Sequence, residues 1–199
     1  MSTLHVENLK GLSSGSNANK VIIPTGQTLE VTDNIRYDDM PAGSVIQFVH
    51  TAKVGNKGYT GESAYGSTSY TDVAGASINI TPKFANSKIY ITTTNHIYST
   101  ELSTNAWRGA NIRIVQTISG GSATDILDDE SGYGEAMYVE NNTDRWMTYS
   151  TRQVIDSPNT TSQINYKVQV ANKAGSNNIY MNRNSYGSGG YLIAMEIKA

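Results

Sequence analysis

Cysteine is absent from this 199-residue chain. Its absence excludes disulfides, thiolate catalysis and cysteine-based metal sites together. Small secreted domains often carry cystines, so a chain without them is expected to fold in a reducing cytosol. Charge is also sparse: charged residues are 16% of the chain, against a typical share of about 25%. The net charge is -2, and Lys and Arg are scattered with no basic run, which argues against nucleic acid as a partner. No N-terminal apolar stretch has the form of a signal peptide, and no run approaches the roughly 20 apolar residues of a membrane span. The expectation is a soluble chain that does not insert into membranes, made in a cytoplasm and able to leave it inside a larger particle.

Recognisable chemistry is missing as well. The three histidines, His5, His50 and His96, lie far apart, and neither His-x-His nor His-Glu-x-x-His occurs. His50 and His96 fall in strand-like segments and read as polar side chains at a sheet or subunit contact. The acidic run Asp125-Ile126-Leu127-Asp128-Asp129-Glu130 lacks the alternation of a calcium loop and reads as a solvated turn. No Gly-x-Ser-x-Gly elbow is present. Gly120-Gly121 and Gly187-Ser188-Gly189-Gly190 have no lysine-serine pair and no helix after them, so they read as hairpin turns and not phosphate loops. No catalytic, metal-binding or cofactor-binding residue is expected, no cofactor is expected, and the chain reads as a non-enzyme.

What the chain has in abundance is hydroxyl and amide. Ser, Thr and Asn make up roughly three residues in ten, well above ordinary usage, beside 18 Gly and 13 Tyr. Thr, Tyr, Ile and Val suit pleated strands, while Asn, Gly and Ser suit tight turns. The pattern predicts strands over 44–50, 70–73, 76–81, 87–98, 108–118, 146–155, 163–171, 178–181 and 190–199, with long loops over 55–70 and 125–142. The segments 44–50 and 146–155 carry apolar residues on both faces, which for 44–50 suits a central position or a subunit contact. The terminal segment places Tyr191, Ile193, Met195 and Ile197 on one face and Leu192, Ala194, Glu196 and Lys198 on the other. So many short strands without a convincing helix predict an all-β, antiparallel β-sandwich of jelly-roll-like form over residues 41–199.

Residues 1–40 differ. Ser13 to Asn19 is a polar stretch, and two short apolar segments, Val21-Ile22-Ile23 and Leu29-Glu30-Val31, flank a turn at Pro24-Thr25-Gly26-Gln27. Strands this short cannot make a core alone. They are expected to bury Val21, Ile22, Ile23, Leu29 and Val31 against a neighbouring copy or another protein; the alternative is a pair of edge strands packed on their own domain. An extended N-terminal attachment arm is therefore expected. Tyr59, Tyr65, Trp107, Tyr133, Tyr138 and Tyr186 stand among Gly, Ser and Asn, as contact aromatics on saccharide- and protein-binding surfaces do. The alternative is that they cover the ends of the sandwich.

Several segments carry a resemblance. Met1 to Gly11, Asn17 to Leu29, Pro41 to Gln47, Tyr70-Thr71-Asp72-Val73, Ile78 to Pro82, Ser87-Lys88-Ile89 and the closing Tyr191 to Ile197 are similar to small tail-fibre or virion structural proteins of marine bacteriophages, cyanophages among them. The resemblance implies a non-enzymatic virion component, often a homotrimer, with an N-terminal segment bound to other virion proteins and a β-sandwich knob. Host recognition, through a cell-surface glycan or protein, is the role it implies for the knob. A capsid decoration or cement protein, and a carbohydrate-binding or carbohydrate-active sandwich, are the alternatives.

Overall fold

A computed structural model describes residues 13–16, 18, 20–27, 37, 40–51, 63–99, 106–127, 135–139, 146–172, 178–182 and 189–199. The chain divides into two units, Met1–Asp39 and Met40–Ala199. In the first, the Pro24 carbonyl accepts from the Gln27 N–H at 3.0 Å, with Gly26 at φ +85°. A left-handed residue at the third position of a turn favours glycine, and the sequence supplies it there. Val21, Ile22 and Ile23 lie outside any strand and are 48%, 55% and 42% exposed. This corrects the expected short strand. Leu29 and Val31 lie outside the described residues.

The described residues of the second unit form eleven strands. They are β1 (Val45–His50), β2 (Ser63–Tyr65), β3 (Thr71–Ile80), β4 (Lys88–Ser99), β5 (Ala106–Ile118), β6 (Thr124–Leu127), β7 (Glu135–Val139), β8 (Trp146–Asp156), β9 (Ile164–Asn172), β10 (Ile179–Met181) and β11 (Tyr191–Ile197). No α-helix forms among the described residues, and none is long and apolar enough to cross a membrane. One sheet runs β1-β11-β4-β10-β2 with β8 on the other side of β4; the second runs β3-β9-β5-β6 with β7 also on β5. Every pairing among the described strands is antiparallel. The first and last strands are neighbours, and the chain crosses repeatedly from sheet to sheet, which gives the antiparallel sandwich its jelly-roll-like character.

The core lies between the sheets. Ile89, Ile91, Ile97, Leu192 and Ala194 of the first meet Ile78, Ile80, Ile112, Ile114, Ile164, Tyr166 and Val168 of the second. Two polar ties cross it or close its end. The Asp156 carboxylate of β8 accepts from the Tyr166 hydroxyl at 2.5 Å and from Gln116 Nε2 at 2.7 Å, joining it to β9 and β5. Burial, and then this bond to Asp156, hold the Tyr166 hydroxyl protonated well beyond the usual phenol range.

Glu196 is wholly buried. Its carboxyl accepts from Gln47 Nε2 at 2.6 Å, the Lys83 N–H at 2.8 Å, the Phe84 N–H at 3.2 Å and Ser87 Oγ at 2.7 Å. It thereby ties β11 to β1 and to the connection between β3 and β4. The terminal strand consequently turns Leu192, Ala194 and Glu196 inward and leaves Tyr191, Ile193, Met195 and Ile197 on the outer face. By hydrophobicity alone the larger set belongs inside; the donors gathered around Glu196 fix the opposite register.

Other expectations need correction. The segments 70–73 and 76–81 form one strand, β3, interrupted between Asp72 and Ser77. There Gly75 has φ +77°, and the Ala74 N–H donates to the Tyr65 hydroxyl at 3.1 Å. The expected loop 125–142 contains β6 and β7, both paired to β5. The expected loop 55–70 contains β2, paired to β10.

Candidate functional site

The two outer faces of the sandwich differ sharply in chemistry. On the β3-β9-β5-β6 sheet, period-two alternation turns Asp72, Ser77, Asn79, Asn165, Lys167, Gln169 and Arg113 outward. They bond across the strands. Lys167 Nζ and Gln169 Nε2 donate to Asp72 at 2.8 and 2.6 Å, Arg113 Nε donates to Gln169 Oε1 at 2.7 Å, and Arg113 also pairs with Asp125 at 2.6 Å. The guanidinium of Arg113 sits 4.0 Å from the centre of the Tyr70 ring. The bond from Lys167 lowers the Asp72 carboxyl below its ordinary 3.8. Asp125, read from sequence as part of an acidic turn, is thus in a strand and ion-paired.

The opposite sheet presents the reverse. The six exposed large apolar side chains described in the Met40–Ala199 unit are Val45, Phe48, Met147, Tyr149, Ile155 and Tyr191. All six lie on its outer face, by register. Phe48 pairs with Met195, Met195 with Tyr90 and Tyr90 with Ile155, so one apolar row crosses four strands, β1-β11-β4-β8. The middle of the face is smaller and more polar: Ile193, Thr92 and Gln153 form one row, and Tyr191, Thr94 and Thr151 the next. Beyond these, His96 stands opposite Tyr149 with ring centroids 5.1 Å apart, and Tyr98 stands opposite Met147. A pocket of about 300 Å³ opens there, lined by His96, Met147, Thr148 and Tyr149. Burial of His96 lowers its pKa below the ordinary 6.5, because desolvation disfavours the charged imidazolium. At the other end His50 Nδ1 donates to the Thr51 carbonyl at 2.8 Å, and its ring lies 5.5 Å from that of Phe48.

The residues expected to serve recognition are not gathered by the fold into one described cluster. Tyr65 is 6% exposed and belongs to the core; its hydroxyl is spent on the interruption in β3. Trp107 and Tyr138 stand opposite each other on β5 and β7, but their side chains lie outside the described residues, as do Tyr59, Tyr133 and Tyr186. Among the described residues no group of three or more His, Cys, Asp or Glu is placed to hold a metal ion. The sequence points to apolar residues on both faces of 44–50 and 146–155, but not to their joining into one outer face. Apolar residues also stand on both sides of 190–199, and together they are more than one buried face can absorb.

No family model matches the chain. No curated protein matches it either. Among solved structures, the Gx strain of infectious bursal disease virus gives a TM-score of 0.40 at 10% identity, covering 89% of this chain and 42% of that one. The VP2 subviral particle of the same virus gives 0.38 at 14% identity, covering 89% and 46%. A D431N mutant VP2 protein, from T=1 particles, gives 0.37 at 13% identity, covering 89% and 44%. The chain spans less than half the length of these structures.

Proposed function

We propose that this chain is a non-enzymatic bacteriophage virion structural protein: a short tail fibre, spike or knob attached to the particle through residues 1–40. The β-sandwich of residues 41–199 is displayed outward, as a homotrimer, for host recognition. The observation that carries the reading is the run Val21-Ile22-Ile23, three consecutive apolar side chains about half exposed. Apolar surface of this kind marks a contact with another molecule, and its burial stabilises a complex by roughly 25 cal/mol per Å². The resemblance of the sequence to phage tail-fibre and virion proteins supplies the identity of that molecule, a virion protein. A capsid decoration protein has the same anchor and differs only in its place on the particle.

Immunogold electron microscopy of particles, with antibody to this chain, separates the two. Label at the tail supports the fibre or spike, label on the shell supports decoration, and unlabelled particles overturn both. The triple variant Val21→Asp, Ile22→Asp, Ile23→Asp is expected to stay folded and lose attachment. Host-polysaccharide cleavage by the purified chain would replace this reading with a carbohydrate-active one.

A further inference from the structure

We infer that the outer face of the β1-β11-β4-β8 sheet seats a second copy of this chain. The inference deepens the assembly reading above, by naming a contact surface on the body that is separate from the arm. Four observations carry it.

The first is segregation. Every exposed large apolar side chain described in this unit is on this face, and the ion-paired ladder is on the other. A soluble surface scatters apolar groups singly unless a partner covers them.

The second is extent. The strands hold 6, 7, 12 and 11 residues. At about 3.3 Å per residue and about 4.8 Å between strands, they present roughly 550 Å² per copy. Two such faces in contact bury about 1,100 Å², above the roughly 1,000 Å² that a specific protein interface needs.

The third is charge. Among the described residues, the only charged side chain that the alternation turns onto this face is Lys88, at one end of β4. It approaches Ser157 Oγ at 3.5 Å. A face so nearly neutral asks for no partner of opposite sign, and a copy of itself meets it without like-charge repulsion.

The fourth is shape. Phe48 and Ile155, 53% and 62% exposed, protrude at one end of β4, and the pocket at His96, Met147 and Tyr149 opens at the other. One copy's protruding row placed over the next copy's pocket enters that hollow of about 300 Å³. Both elements of the contact are carried by every copy, as self-assembly requires.

Light scattering coupled to size exclusion tests this on the full chain. Wild type is expected to be oligomeric at micromolar concentration. The double variant Phe48→Glu, Ile155→Glu is expected to be monomeric, with its circular dichroism unchanged; the control Asn79→Glu, on the polar sheet, is expected to keep the wild-type mass. Should the double variant fail to fold, Ile155→Gln reads the same face through a tenfold or greater rise in the dissociation constant. A wild-type monomer overturns the inference. So does an oligomer whose mass and dissociation constant survive the substitutions. Particle labelling is unaffected by any of these results, so the virion reading stands or falls separately.

Discussion

Four donors converge on the Glu196 carboxyl inside the sandwich. Glu196→Ala leaves the Lys83 and Phe84 N–H groups and the Ser87 hydroxyl without their acceptor. An unsatisfied buried donor costs about 1–3 kcal/mol. The Ser87 bond is buried and the two N–H bonds are partly buried, so the expected loss is about 2–3 kcal/mol, read from urea unfolding. Glu196→Gln keeps the acceptor oxygen and is expected to cost less. His96 gives the molecule a pH dependence of definite sign. Its folded pKa lies below the ordinary 6.5, so the unfolded chain takes up the proton first as pH falls. The contribution of neutral His96 is complete above that ordinary value and is lost as pH falls through it toward the lowered one. Asp72 behaves alike at lower pH, because its depressed carboxyl holds its stabilisation above 3.8 and loses it below. The melting temperature is expected to fall between about pH 7 and pH 5, and His96→Gln to remove that part of the fall.

At the scale of elements, β3 shows how a local device joins two short segments into one strand. The chain gains residues between Asp72 and Ser77 without a partner on β9, and it keeps Val73 and Ala76 both inward. Gly75 supplies the left-handed backbone, and the Tyr65 hydroxyl takes the stranded Ala74 N–H. Tyr65→Phe removes that acceptor together with the long bond the hydroxyl donates to the Asp72 carbonyl at 3.5 Å, and it is expected to cost about 1–2 kcal/mol in thermal or urea unfolding. The strands β4, β5, β8 and β9 were legible because their alternation runs for nine residues or more. The strands β6 and β7 were not. They are short, rich in Gly or acids around their ends, and held by pairing with distant β5, a contact no local pattern records. The face of β11 was legible as an alternation but not in its direction, since the partners that pull Glu196 inward come from residues 47, 83, 84 and 87. The recognition aromatics failed at Tyr65 for a related reason: a ring among small polar residues looks like a surface ring until its hydroxyl finds a backbone donor in another strand.

At the scale of the molecule, the sandwich separates its two outer faces by chemistry, and that separation gives association a distinctive response to conditions. Contacts through Phe48, Met195, Tyr90 and Ile155 are apolar, so salt does not weaken them, and sulfate strengthens them. Contacts through Asp72, Lys167, Arg113 and Asp125 would weaken instead, since the Debye length shrinks from about 10 Å at 0.1 M to about 3 Å at 1 M salt. Association that binds folded chains and not unfolded ones also raises the melting temperature with protein concentration. A tenfold rise in concentration is therefore expected to lift the wild-type melting temperature, equally in 0.1 M and 1 M sodium chloride. The Phe48→Glu, Ile155→Glu variant is expected to show no lift at either salt. A lift that disappears at 1 M salt would assign the contact between copies to the polar ladder of the other sheet.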